Sequence, residues 1–144
     1  MRNRVAVMHG VNLDALDRRP PEHYGELSLP RLETRIEQFA KELRLEARFF
    51  HTNHEGEYVE ELHRAADYAD ALLLNPGAWT HYAWSLRDAV EIAGLPAVEI
   101  HLSDVKRREP FRAVSVLEDV CVASISGQGV DGYRTALERL KAVL

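Results

Sequence analysis

Val5-Ala6-Val7-Met8-His9-Gly10-Val11-Asn12-Leu13 sets the reading of the rest of the chain. A run of small and branched apolar residues, too short for a stable helix, gives way to polar groups around a glycine. That is the pattern of a buried parallel strand whose carboxyl end opens into a loop. The pattern recurs twice. The apolar run 71–74 leads into Asn75-Pro76-Gly77-Ala78-Trp79-Thr80-His81, and the run 97–100 leads into Glu99-Ile100-His101-Leu102-Ser103. Two further runs, 47–50 and 120–125, bring the predicted strands to five. In an open α/β sheet the carboxyl ends of the strands face one crevice, so three clusters distant in sequence are expected to converge there.

Between the strands lie segments with helical spacing. They are Leu32, Ile36, Phe39, Ala40 and Leu43; Val59, Leu62 and Ala66; Trp84, Leu86, Ala89, Val90 and Ala93; and Tyr133, Leu137, Leu140 and Leu144. Each carries an apolar stripe able to cover a sheet. Ser28 followed by Leu29-Pro30 supplies an N-cap and an early proline for the first helix, and Gly94-Leu95-Pro96 stops the third. Thr80 is placed to cap the third helix, on which His81 and Asp88, seven residues apart, would share a face with Trp84 between them. The order is strand and helix alternating through the fourth strand, a weakly patterned connection, then a strand and a helix. Right-handed crossovers then give a single catalytic domain over residues 1–144, a flavodoxin-like three-layer α/β sandwich with a five-stranded parallel sheet. Its switch point falls between strands one and three, where Asn12 and Asn75 would face each other.

Composition narrows the partners. A net charge of -5 and a pI near 5.8 disfavour nucleic acid, although arginines are dense locally at 18–19 and 107–108. No apolar run approaches the ~20 residues that span a bilayer, so no membrane partner is expected. No secretory leader is recognisable, and the single Cys121, within Val120-Cys121-Val122-Ala123, reads as a small core residue in a reducing, cytoplasmic setting. The segment after strand one lacks both the dinucleotide fingerprint and a phosphate-loop lysine. Gly127-Gln128-Gly129-Val130-Asp131-Gly132 follows the last strand and reads as a tight turn opening the last helix. The pair His51 and His54 with Glu55 lacks an established zinc pattern. Neither a cofactor nor a metal is expected.

The residue types in the clusters favour proton transfer. His101 stands two positions after Glu99 on one strand, so both side chains project to one face. There a carboxylate can orient an imidazole as a proton donor, the alternative being a histidine that only closes a strand end. Tyr24 lies in the loop Arg18-Arg19-Pro20-Pro21-Glu22-His23-Tyr24-Gly25, able to close over the crevice. A nearby guanidinium favours a phenolate, and Arg18 and Arg19 are the available cations. One of Arg107, Arg108 and Arg112, which follow the Ser103 turn, is suited to clamp a carboxylate; spacing does not choose among them.

Taken together, these segments resemble the type II 3-dehydroquinate dehydratase family over almost the whole chain. The family's Asn-Gly-Pro-Asn-Leu appears as His9-Gly10-Val11-Asn12-Leu13, and its Leu-Gly-x-Arg-Glu-Pro-x-x-Tyr-Gly as residues 16–25. Thr52-Asn53-His54-Glu55-Gly56-Glu57, Asn75 to His81, Leu86-Arg87-Asp88-Ala89, Glu99 to Ser103, Arg108 to Arg112 and Gly129 to Tyr133 complete the match.

The resemblance implies elimination of water from a small-molecule substrate without a cofactor. It assigns Tyr24 as base, Arg19 as the cation that holds it ionised, Asn12 as the group stabilising an enolate oxygen, His101 as acid and Glu99 as its positioner. It places Asn75, His81, Leu102, Ser103 and Arg112 around the substrate, with Asp88 entering from a neighbouring subunit of a homododecamer built from trimers. Loop 17–25 would be a lid. His9, Val11, Asp17 and Pro20 depart from the family pattern beside Asn12 and Arg19, and Tyr82 and Trp84 add bulk. These changes keep open a paralogous dehydratase acting on a related cyclic hydroxyketone acid. A non-catalytic binding module fits poorly: a response regulator needs acids at the end of strand one and a lysine after strand five, where His9 and Gln128 stand.

Overall fold

The structure is a computed structural model that describes residues 2–24 and 26–144. Five parallel strands, β1 Arg4–His9, β2 Glu46–His51, β3 Ala71–Asn75, β4 Ala97–His101 and β5 Ala123–Ser126, pair in the order β2-β1-β3-β4-β5. The order reverses beside β1, so its carboxyl end and that of β3 flank the switch-point crevice.

Alternation along the central strands sends Val5, Val7 and Leu73 to one face of the sheet and Ala6, Met8, Leu72 and Leu74 to the other. Helices α2 Leu29–Glu42 and α5 Asp131–Val143 cover the first face. In α2, Leu32, Ile36, Phe39 and Ala40 form the buried stripe, and Ser28 caps it by accepting the Arg31 N–H at 3.4 Å. Helices α3 Glu55–Arg64 and α4 Trp84–Ala93 cover the second face through Tyr58, Leu62, Leu86 and Val90. A one-turn helix, α1 Pro21–Tyr24, follows a 3-10 segment, Leu13–Arg18, in the loop after β1.

Three expectations change. The last strand starts at Ala123 rather than 120, because residues Glu118–Val120 form a 3-10 turn and only Ala123 onward registers with β4. As an edge strand with one neighbour, β5 has no second ladder to extend it. Val120 and Cys121 instead pack, half-buried, against the α3/α4 cluster, where burial pushes the Cys121 thiol up to about 12.

His81 does not lie on the third helix. It ends the 3-10 turn Gly77–His81; Tyr82, at φ -152°, breaks the chain before α4 begins at Trp84. His81 and Asp88 therefore share no helix face. Nor does Thr80 cap α4, whose N-cap is Ala83 without a side-chain bond.

The loops after β1 and β3 meet backbone to backbone. Gly10 N–H donates to the Asn75 carbonyl at 2.7 Å. A Cβ on Gly10 would lie 2.5 Å from the Pro76 carbonyl oxygen, and one on Gly77, at φ +65°, would lie 2.6 Å from that of Val11. Both glycines are needed for this approach, which draws Asn12 and Asn75 to one cavity.

Candidate active site

The carboxyl ends of β1, β3 and β4 open into a cavity that is continuous with solvent. Asn12, Arg19, Tyr24, Asn75, His81, His101, Leu102, Ser103, Arg108 and Arg112 line it. Its floor is β4. Glu99 is fully buried and its Oε2 lies 2.6 Å from His101 Nε2. Thr80 Oγ1 donates to the same oxygen, and Ser115 and Ser124 hydroxyls donate to Oε1 at 2.7 and 3.4 Å.

Burial opposes ionisation of Glu99, but the hydrogen bonds and charge of His101, with those of Thr80 and Ser115, outweigh it and hold the carboxyl below the usual carboxylate range. A carboxylate accepts and does not donate, so His101 Nε2 carries the proton toward Glu99 and Nδ1 is the nitrogen left for the cavity. His81 stacks on His101, with ring centroids 6.4 Å apart, and its Nδ1 donates to the Val114 carbonyl at 2.7 Å. Burial holds His81 below the usual imidazole range, which leaves its other nitrogen as an acceptor at neutral pH.

Tyr24 lines the same cavity, carried there by α1. Arg108 Nη1 donates to its hydroxyl at 2.7 Å and to Ser103 Oγ at 3.2 Å. Arg19 takes the ring instead, its guanidinium carbon 4.4 Å from the centroid. The phenol is thus gripped at the oxygen by one arginine and on its face by another. Of the three arginines after Ser103, Arg107 is exposed and pairs with Asp104 at 3.1 Å, while Arg112 reaches the cavity with its Nε 2.5 Å from Glu109. The contact of Arg108 with Tyr24 crosses 84 residues of sequence, so no local signal marked it.

Asn75 is held from both sides. Its Oδ1 accepts the Gly77 N–H at 3.1 Å, and its Nδ2 donates to the Tyr133 hydroxyl at 3.3 Å. Leu102 and Ser103 are fixed through their carbonyls, which accept from Gly129 and Gly127 N–H groups at 3.2 and 3.1 Å. That gives the glycine-rich turn before α5 a structural role at the site. Asp88 is exposed on α4 and lies off the cavity. Thr80 and Ser115, which sequence reading did not place here, complete the shell around Glu99. Among the described residues, no three His, Cys, Asp or Glu side chains are disposed to hold a metal ion.

Fold and site define a flavodoxin-like α/β protein with acid and base candidates lining one cavity at its switch point. Residues 3–141 match the family described as dehydroquinase class II. The chain is 44% identical to the 3-dehydroquinate dehydratase of Halothermothrix orenii over 142 residues, 99% of this chain and 96% of that protein. It superposes on the type II dehydroquinase of Butyrivibrio crossotus with a TM-score of 0.92 at 35% identity, covering 96% of this chain and 97% of the other. A TM-score of 0.91 relates it to the type II dehydroquinase of Propionibacterium acnes, at 34% identity and with 99% and 98% of the two chains covered. This chain belongs to the class II dehydroquinase family.

Proposed function

We propose that this protein is a hydro-lyase that removes water from 3-dehydroquinate to give 3-dehydroshikimate, by a stepwise route through an enolate that uses no metal or organic cofactor. The observation that carries this reading is that one cavity holds two candidate proton-handling groups, each with its own partners: Tyr24 with Arg108 and Arg19, and His101 with Glu99. The phenolate of Tyr24 takes a proton from the carbon beside the substrate ketone. Asn12 stabilises the resulting enolate oxygen through a water molecule. The ketone re-forms, the electron pair of the enolate double bond makes a new double bond from the deprotonated carbon to its other neighbour, and the hydroxyl on that neighbour leaves as water with the proton from His101. Arg19 and Arg108 share the task of holding the phenolate. Asn75, His81, Leu102, Ser103 and Arg112 orient the substrate, and α1 with its flanks shuts out bulk water.

The protein works in the cytoplasm, as its free, half-buried cysteine suggests. No described helix is long and apolar enough to cross a membrane. It assembles as a homododecamer built from trimers, with exposed Asp88 of α4 reaching a neighbour's cavity. Exposed Tyr82, Trp84, Phe111 and Val114, at 54–63% accessibility, provide apolar surface for such a contact.

The test is the ultraviolet absorbance of purified protein mixed with 3-dehydroquinate and a chelator. A rise from the conjugated enone is expected, falling by about 10²–10⁴ in Tyr24→Phe and in His101→Ala. Loss of no more than a few-fold in both would sink the mechanism. No rise from folded protein would favour the paralogous dehydratase suggested by His9, Val11, Asp17 and Pro20.

A further inference from the structure

Thr52-Asn53-His54-Glu55-Gly56-Glu57 is a segment for which the mechanism above has no use, yet it touches the loop that presents Asn12. Asn12 sits in the left-handed region, at φ 69° and ψ 6°. Only a few residue types other than glycine tolerate that conformation, asparagine among them. It is held from across the sheet. The Asn12 N–H donates to Asn53 Oδ1 at 2.8 Å, and Asn53 Nδ2 donates to Asp14 Oδ2 at 3.1 Å. Asp14 and Asn12 belong to the same turn, so Asn53 bridges two points of it from the carboxyl end of the neighbouring strand β2.

The orientation of the Asn53 amide is fixed by its partners, since one side must accept from a backbone N–H and the other must donate to a carboxylate. His51 Nε2 lies 3.7 Å from Asp14 Oδ1, too far for a hydrogen bond, and burial keeps His51 below the usual imidazole range despite that carboxylate. The Asn53 amide is therefore the group that hydrogen-bonds Asp14.

We infer that Asn53, with Asp14, is a positioning residue for the elimination: it locks Asn12 in the left-handed conformation that places its side chain at the enolate oxygen. The inference rests on the enolate role given to Asn12 above. Asn53 is not among the residues that line the cavity. Its loss releases the backbone of Asn12, and the effect falls on the step in which charge develops rather than on ground-state binding.

The experiment compares kcat, KM and thermal midpoint for Asn53→Ala, Asn53→Asp, Asp14→Asn, the double variant Asn53→Asp with Asp14→Asn, and Asn12→Ala. Asn53→Ala is expected to lower kcat by roughly 10- to 100-fold, with KM within about two-fold of the parent, the scale of a reactive group displaced by about 1 Å. Asn53→Asp sets two carboxylates against each other and behaves alike. The double variant restores one amide and one carboxylate in reverse order, and recovers kcat to within about five-fold of the parent, the size of a single hydrogen bond regained.

A purely structural role would lower the midpoint and leave kcat of the folded fraction unchanged, which would overturn the proposal. So would failure of the double variant to recover, or a rise in KM with kcat intact. Parental kcat in Asn53→Ala beside a crippled Asn12→Ala defeats this inference alone. Parental kcat in Asn12→Ala defeats the enolate reading on which it stands.

Discussion

At the scale of single residues, Glu99 shows how this site keeps a charge in a dry place. A buried carboxylate without partners is far costlier than one with them, and Glu99 is surrounded by three hydroxyls and an imidazole. The result is a folded-state pKa below the unfolded one. A group of this kind adds stability that is fully present above the unfolded carboxylate range, near ~4.3, and is lost as pH falls through the lower folded value. Glu99→Gln removes that titration. Urea midpoints measured between about pH 3 and 6 should fall less steeply with acid in the variant than in the parent, whatever its overall stability. An equal slope in both would mean that folding does not shift the Glu99 carboxyl.

Asn12 is the complementary case. Its left-handed backbone costs about 1–2 kcal/mol in a generic residue, and a hydrogen bond returns about 0.5–1.5 kcal/mol, so one side-chain contact is enough to decide its conformation. Such a balance makes Asn53 a sensitive control point although it is exposed.

At the scale of elements, the site exists because two loops approach more closely than side chains allow. Gly10 faces three backbone atoms of Pro76, all within 2.7 Å of where a Cβ would sit. Backbone cannot step aside as a flexible side chain can. Gly10→Ala should lower stability by about 1–3 kcal/mol, the usual cost of forced overpacking, and should separate the ends of β1 and β3. Gly56, in the first turn of α3, has nothing within 4 Å of its Cβ position. Gly56→Ala should raise stability by up to about 1 kcal/mol through helix propensity. Denaturant unfolding of the two variants side by side separates a packing glycine from one that is merely tolerated.

The lid obeys the same local rules. Arg19, before Pro20, takes extended angles, φ -101° and ψ 159°, as a residue preceding proline must, and this ends the 3-10 segment before α1 carries Tyr24 inward. Gly25, the last residue of the lid named from sequence, lies outside the described residues.

At the scale of the whole molecule, the apolar surface is uneven. Tyr82 and Trp84 are about 60% exposed, and Phe111 packs edge-on against His81 at 5.7 Å while remaining half exposed itself. Clusters of this kind mark interaction sites on soluble proteins. Because they flank a histidine of the cavity, a subunit contact there would couple assembly to the shape of the site. Trp84→Glu should shift the sedimentation coefficient to smaller species, with loss of activity that follows dissociation. Unchanged sedimentation would place the contact elsewhere.

The sequence by itself determined the class of fold, the switch point between strands one and three and most of the cavity. Buried strands, apolar stripes and strand-end polar residues are local signals, and the switch point follows from alternation and crossover handedness alone. Thus Asn12, Asn75 and His101 were legible from position, while Arg19, Tyr24, His81 and Arg112 were named from residue type and family likeness. Tertiary structure decided what those residues touch. Arg108 on the Tyr24 hydroxyl, Thr80 and Ser115 on Glu99, and Asn53 on Asn12 each join segments whose separation in sequence carries no distance information. It also decided that His81 ends a 3-10 turn and that the last strand starts late, since both depend on backbone that pairs or breaks against its neighbours. Periodicity reports which face of an element is buried; which partner meets that face is set by packing, and packing exists only once the chain has folded.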